Sequence, residues 1–273
     1  MLNLRPKIYT KPFPHIVIKD FIQDTTMLEF LRNNQELPAA MDTLGDLERV
    51  EIGRIRKGPY SYDLRKANTS GFSSSFRSNT LRVIDRIEGC SRLRKLVEKT
   101  FTPYFNEWYE PFDEDFKQMM TTYGAYNKTS KPLNLIGWHL DNGKKLCSGF
   151  IYLREDGDTA DDGNLWLSNG KEKKKIPYED NVFVIWPNLP NAWHKADVRN
   201  PTDHLRRIVN VVYETQHDRR YHDYRTYRND KIVDENQLYP YKLFGYKKVR
   251  VKKYYERKES EDATPTGQGS QES

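Results

Sequence analysis

The sequence predicts a mainly β protein, an antiparallel sandwich or barrel with helices packed outside it, and three observations lead there. From about Phe116 the apolar pattern changes to period two. Short β-rich runs succeed one another closely: "FKQMMTTYGAY", "LNLIGWHLD", "KLCSGFIYLRE", "GNLWLSNG", "NVFVIWP" and "RRIVNVVYET". Gly, Pro, Asn and Asp separate the runs and leave no room for crossover helices, so the strands must pair antiparallel.

The elements before and after this core read as its support. Near the start, "HIVIKDFI" alternates apolar and polar residues and leads into "DTTMLEFLRNN", where Asp24 or Thr25 caps a short helix. Glu36 to Ser78 is polar and punctuated by Gly53, Gly58, Pro59 and "TSGFSSSFRSN", which predicts long loops. In "TLRVIDRIEGCSRLRKLVEKTFTPYFNEWY", residues Val83, Ile84, Ile87, Leu93, Leu96, Val97 and Phe101 recur at helical spacing and predict one or two amphipathic helices. From Lys258, "KESEDATPTGQGSQES" holds no large aliphatic or aromatic side chain and is expected to be disordered. One domain is expected over 1–250, with its β core at about 116–216, helical and loop support at 20–110 and a disordered tail at 258–273.

Composition narrows the function classes. Hydrophobic residues make up only 36%, but 18 Tyr, 12 Phe and 5 Trp supply large apolar area. A net charge of +6, from 45 basic and 39 acidic residues, favours acidic ligands only weakly. The runs Lys171 to Lys175 and Lys247 to Lys258 read as solvated faces, and no nucleic-acid partner is expected. Cys90 and Cys147 form no disulfide or zinc spacing, and the chain offers no signal-like or membrane-length apolar run. A cytoplasmic protein without a membrane partner is the expectation, and the glycosylation patterns at Asn68 and Asn127 count as chance matches.

The chemistry lies in "GWHLDNGKKL" and in the strands after it. On an extended segment His139 and Asp141 project to one face. His194, in "WPNLPNAWHKADV", comes after three further strand-like runs, a distance that returns the chain to the first pair. Two imidazoles and one carboxylate form the facial triad of non-haem Fe(II) oxygenases, and zinc accepts the same ligands in hydrolytic sites. Twelve residues after His194 the strand "RRIVNVVYE" opens on Arg206 and Arg207. A guanidinium buried on such a strand needs a carboxylate, and a metal-bound dicarboxylate offers one for bidentate pairing.

Taken together, His-x-Asp, a distant His and an Arg about a dozen residues on resemble the Fe(II)- and 2-oxoglutarate-dependent dioxygenases. "PFPHIVIKDFI" is similar to that family's opening. "CSGFIYLRED", "DGNLWL" and "NVFVIWPNLPNAWHKADV" resemble the strands and turns of its prolyl-hydroxylase-like branch. The resemblance runs from about Pro12 to about Glu214 and is specific from Trp138 to Tyr213. It implies a double-stranded β-helix, jelly-roll or cupin-like core. It implies that His139, Asp141 and His194 bind iron, and that Arg206 binds the distal carboxylate of 2-oxoglutarate, with Arg207 the alternative. Tyr152 resembles a tyrosine that contacts the same co-substrate. The family's hydroxyl two residues after the arginine is missing, since Ile208 or Val209 stands there.

Asp141 favours hydroxylation over halogenation, because halogenating members carry a small residue in its place. The implied reaction consumes dioxygen and 2-oxoglutarate, with ascorbate in support, and releases succinate and carbon dioxide. A small molecule, a sugar or a peptide residue is the substrate class. Two alternatives are a non-catalytic cupin-like binding protein and a zinc-dependent hydrolase. His15, His204, His217 and His222 read as packing residues, and His204 is rejected as the third ligand because only Leu205 separates it from Arg206. Trp138, Trp186 and Trp193 read as core before site wall. The loops at Glu36 to Ser78 and Asp156 to Gly163 are expected to frame the entrance.

Overall fold

A computed structural model describes residues 2–36, 49–53, 73–110, 112–126, 133–215, 219–220, 225–228, 231–234, 247–248 and 250–251. The expected tail at 258–273 lies outside them, as do His217 and His222 and much of the Glu36 to Ser78 segment. In chain order come β1 (Lys7–Tyr9), β2 (His15–Ile18), α1 (Thr25–Asn33), β3 (Arg49–Gly53), α2 (Ser74–Glu88), α3 (Ser91–Trp108), β4 (Tyr109–Glu110), β5 (Gln118–Tyr126), β6 (Leu133–His139) and β7 (Lys145–Leu153). They continue with β8 (Leu165–Ser168), β9 (Lys173–Ile176), β10 (Phe183–Pro187), β11 (Trp193–Arg199), β12 (Arg206–Glu214), β13 (Arg219–Arg220), β14 (Arg225–Arg228), β15 (Lys231–Asp234), β16 (Lys247–Lys248) and β17 (Arg250–Val251).

Two antiparallel sheets carry the fold. The larger runs β1-β2-β10-β7-β12-β5-β3 and the smaller β15-β14-β6-β11-β8-β9, with β13-β16 and β17-β4 as short pairs. From β5 to β12 the chain passes back and forth between the two sheets, the winding of a double-stranded β-helix. The core is thus the jelly roll that the sequence predicts, flanked by helices.

Local chemistry sets the helix ends. Asp24 caps α1 by accepting from the Met27 N–H at 3.1 Å, and Ser73 caps α2 by accepting from Phe76 at 3.0 Å. Gly89 ends α2, its N–H bonding the Asp85 carbonyl at 2.8 Å, and separates the helical region into two helices. Leu93, Val97, Phe101 and Phe105 form the buried stripe of α3. They join one hydrophobic cluster with Tyr123, Val209, Val211 and Tyr213 of the larger sheet.

Several strands depart from the expectation, and those in or beside the core are informative. Arg49–Gly53, within the predicted loop, pairs with β5 as an edge strand. Lys173–Ile176, read as part of a solvated face, is the edge of the smaller sheet, where Lys174 sits 3.1 Å over the Tyr9 ring and Lys175 pairs with Asp161. Lysines suit an edge because they block pairing with another chain. Trp193–Arg199 is β11, hidden from the period-two pattern by polar residues on both of its faces.

Burial of both faces explains the composition of β12. Arg206 to Tyr213 are all buried. Pairing sets Ile208 beside Tyr152, Asn210 beside Phe150 and Val212 beside Ser148, so these side chains and Arg206 share the face toward the smaller sheet. Arg207, Val209, Val211 and Tyr213 face the helices.

Candidate metal centre

His139 ends β6, Asp141 follows two residues later at the start of the turn, and His194 is the second residue of β11. Antiparallel pairing sets His194 opposite His139, with their ring centroids 4.2 Å apart. Asp141 reaches the same point, its Oδ2 being 3.5 Å from His194 Nε2. Donor atoms of the three residues lie within 4.8 Å of one another, and all three residues are buried. The turn after Asp141 closes by a bond from the Lys145 N–H to the Asn142 carbonyl at 2.9 Å, as "DNG" suggests.

The donor chemistry fits a divalent cation. His139 Nδ1 lies 2.8 Å from the Gly137 carbonyl and His194 Nδ1 lies 3.1 Å from that of Ala192. Each carbonyl accepts only if Nδ1 carries the proton, which leaves the Nε2 lone pairs for the metal. Burial lowers both imidazoles, His194 to about 3, so both are neutral. Burial pushes the Asp141 carboxyl up, but the charge and the hydrogen bond of Lys145, with the two imidazoles beside it, outweigh this and hold the group below the usual carboxylate range. Lys145 donates to Asp141 Oδ1 at 2.7 Å and Ser148 to Oδ2 at 2.5 Å. Two neutral nitrogens and one ionised carboxylate are thus held ready, as a borderline divalent metal requires.

The remaining predicted residues divide between the two faces of β12. The Arg206 guanidinium carbon lies 5.4 Å from the Tyr152 ring and 5.2 Å from that of Tyr178, and Nε donates to the Gly163 carbonyl at 2.9 Å. Tyr152 and Tyr178 meet edge to face at 5.2 Å. Tyr152 and Ser148 are four residues apart on β7, so Arg206 and its rings lie roughly 13 Å along the strand from Ser148, which bonds the triad's Asp141. Arg207 turns to the helix side, donating to Glu155, to the Asn34 carbonyl at 2.8 Å and to the Tyr123 hydroxyl at 3.4 Å. His204 bonds Glu155 at 3.1 Å and takes no place at the triad.

Trp186 lies 4.8 Å from the His194 ring and walls the site. Trp138 and Trp193 do not wall it; Lys195 lies 5.4 Å from the Trp138 ring on the outer face. Asp158 and Asp162 turn inward to the fully buried Arg199, at 3.0 and 2.6 Å. Ser148 and Lys145 are site neighbours that sequence reasoning misses, because only the turn after Asp141 brings them back onto its carboxylate.

No protein-family model matches the chain, and no curated protein matches it. Among solved structures it is similar to a putative oxygenase from Shewanella oneidensis at 11% identity and TM-score 0.49, covering 74% of this chain and 81% of that one. It is similar to a prolyl 4-hydroxylase from Phytophthora capsici at 11% identity and TM-score 0.45, covering 74% of this chain and 59% of that longer one. A third is a full-length protein of Neurospora crassa in complex with alpha-KG and 5-formyluracil, at 12% identity and TM-score 0.45, covering 82% of this chain and 81% of that one.

Proposed function

We propose that this chain is an Fe(II)- and 2-oxoglutarate-dependent dioxygenase that hydroxylates a small-molecule, sugar or peptidyl substrate. The observation that carries the reading is a neutral-His, ionised-Asp triad with a buried arginine, Arg206, further along the sheet face that looks toward the smaller sheet. A hydrolytic zinc site needs no second anchor for a dicarboxylate, and a structural metal needs neither the open coordination positions nor the arginine.

His139, Asp141 and His194 would hold the iron, which would supply activation of dioxygen and oxidative decarboxylation of the 2-oxo acid to succinate and carbon dioxide. The protein's own work is orientation. Carbonyls of Gly137 and Ala192 fix the imidazole tautomers, and Ser148 and Lys145 fix the carboxylate. Arg206 takes the distal carboxylate of 2-oxoglutarate through a planar fork suited to bidentate pairing, with Tyr152 beside it. Phe150, Ile208 and Trp186 line the interval and keep it poor in water, which strengthens the charge contacts at either end.

The test is succinate release from 2-oxoglutarate by purified protein with Fe(II) in air. Turnover is expected from the wild type, and loss of at least about a hundredfold is expected in His139→Ala, Asp141→Ala and Arg206→Ala. Turnover undiminished in the first two variants, or metal-dependent hydrolysis without oxygen consumption, would overturn the reading.

A further inference from the structure

Arg206 is held from behind by a segment whose buried charges do not touch the triad. Gly163 adopts φ +64°, and its carbonyl accepts from Arg206 Nε at 2.9 Å. A Cβ at Gly163 would stand 3.0 Å from both Cδ and Nε of Arg206, so no larger residue fits without displacing the guanidinium. The turn is pinned on its N-terminal side. Arg199, fully buried, donates to Asp162 Oδ1 at 2.6 Å and Asp158 Oδ2 at 3.0 Å. Asp162 Oδ2 accepts from the Asn200 N–H at 2.8 Å, and Arg154 reaches Asp158 Oδ1 at 3.4 Å and the Ala160 carbonyl. Two arginines thus balance two aspartates in a closed network that ends at Gly163.

Tyr178 joins the network to the sheet. Arg154, Arg199 and Arg206 all lie over its ring, at 5.8, 5.8 and 5.2 Å. Its hydroxyl donates to the Leu153 carbonyl at 2.9 Å and accepts from the Arg207 N–H at 2.9 Å, bridging β7 and β12. The guanidinium of Arg206 is therefore held at Nε by the Gly163 carbonyl and lies against the rings of Tyr152 and Tyr178.

We propose that Asp158, Asp162 and Gly163 are positioning residues that fix Arg206 and so make the cleft select its co-substrate by chain length, accepting a five-carbon 2-oxo diacid over a six-carbon one. The inference rests on the function proposed above. With the triad set at one end by strand pairing, an immobile guanidinium turns the interval into a ruler. One extra methylene in a shaped site changes affinity by about 10- to 200-fold. A guanidinium free to retreat would lose that discrimination while still meeting a carboxylate.

The experiment is calorimetric titration of 2-oxoglutarate and 2-oxoadipate into Mn(II)-loaded protein under nitrogen, where no turnover occurs. Wild type is expected to favour 2-oxoglutarate by at least about tenfold. Gly163→Ala, Asp162→Asn and Asp158→Asn, each checked for native circular dichroism, are expected to weaken 2-oxoglutarate by about tenfold, or 1.4 kcal/mol, and 2-oxoadipate by less. The ratio falls toward one while Mn(II) affinity without diacid stays at the wild-type value. Folded variants that keep the wild-type ratio, or that lose both diacids and Mn(II) in parallel as a general loosening would, overturn the inference alone. A wild type that binds neither diacid overturns the proposed function, and this inference with it.

Discussion

Asp141 has both carboxylate oxygens engaged by neighbours before any metal is considered, Oδ1 by Lys145 and Oδ2 by Ser148 at 2.5 Å. Partners of this kind orient a ligand and tune its basicity, and removing one costs about 10- to 100-fold in metal affinity. Ser148→Ala is therefore expected to weaken Mn(II) binding by about tenfold without unfolding the protein. Titration followed by electron paramagnetic resonance checks this, and unchanged affinity would deny Ser148 an orienting role. His-x-Asp and the later His are legible in sequence because spacing alone brings them together. Ser148 is not, because its contact with Asp141 depends on the turn that carries the chain from β6 in the smaller sheet across to β7 in the larger one.

At the scale of elements, β12 is tied to α1 by Arg207. Its guanidinium is fully buried, meeting Glu155, Tyr123 and the carbonyl at the end of α1. Removing one partner of a buried pair leaves the other charge uncompensated and costs about 3 to 5 kcal/mol. Glu155→Leu is expected to destabilise by that order in urea unfolding, and Glu155→Leu with Arg207→Met by clearly less; equal losses would mean that the charges are not coupled. Strand alternation alone sends the two arginines to opposite faces, but it supplies no partner for the second, because Glu155 sits in a turn after β7. Nor does alternation reveal the lysine-bearing edge strand or β11, since an edge strand and a ligand-bearing strand with polar residues on both faces both lack a clean period of two.

Another element-scale effect belongs to β2. His15 is fully buried, stacked on Tyr9 at 5.0 Å with Nδ1 2.8 Å from the Phe13 carbonyl, and burial lowers it to about 4. The folded state therefore resists the proton that the unfolded chain takes up near pH 6.5. This contribution to stability is whole above about pH 6.5 and declines as pH falls toward 4, below which both states are protonated. His15→Phe is expected to flatten the fall in urea midpoint between about pH 7.5 and about pH 5, whatever its effect at the upper end. A slope equal to that of the wild type would show that His15 takes no part.

Across the whole molecule, the triad exists only when β6 and β11, distant in sequence, pair in the smaller sheet. His139 and Asp141 come from the end of β6 and His194 from β11, 55 residues further along, so the unfolded chain has no such site. Ligand that binds only the folded state stabilises it by RT ln(1 + [L]/Kd), about 2.7 kcal/mol at a hundred times Kd. In a chain of this size each kcal/mol moves Tm by roughly 2 to 4 °C, so saturating Mn(II) is expected to raise Tm by roughly 5 to 10 °C. Asp141→Ala and His194→Ala are expected to abolish the rise while still melting cooperatively. An equal rise in both variants would mean that the metal binds elsewhere. A rise that survives in Arg206→Ala but no longer grows when 2-oxoglutarate is added would separate the two ends of the cleft, because metal and diacid each couple to folding through their own anchor.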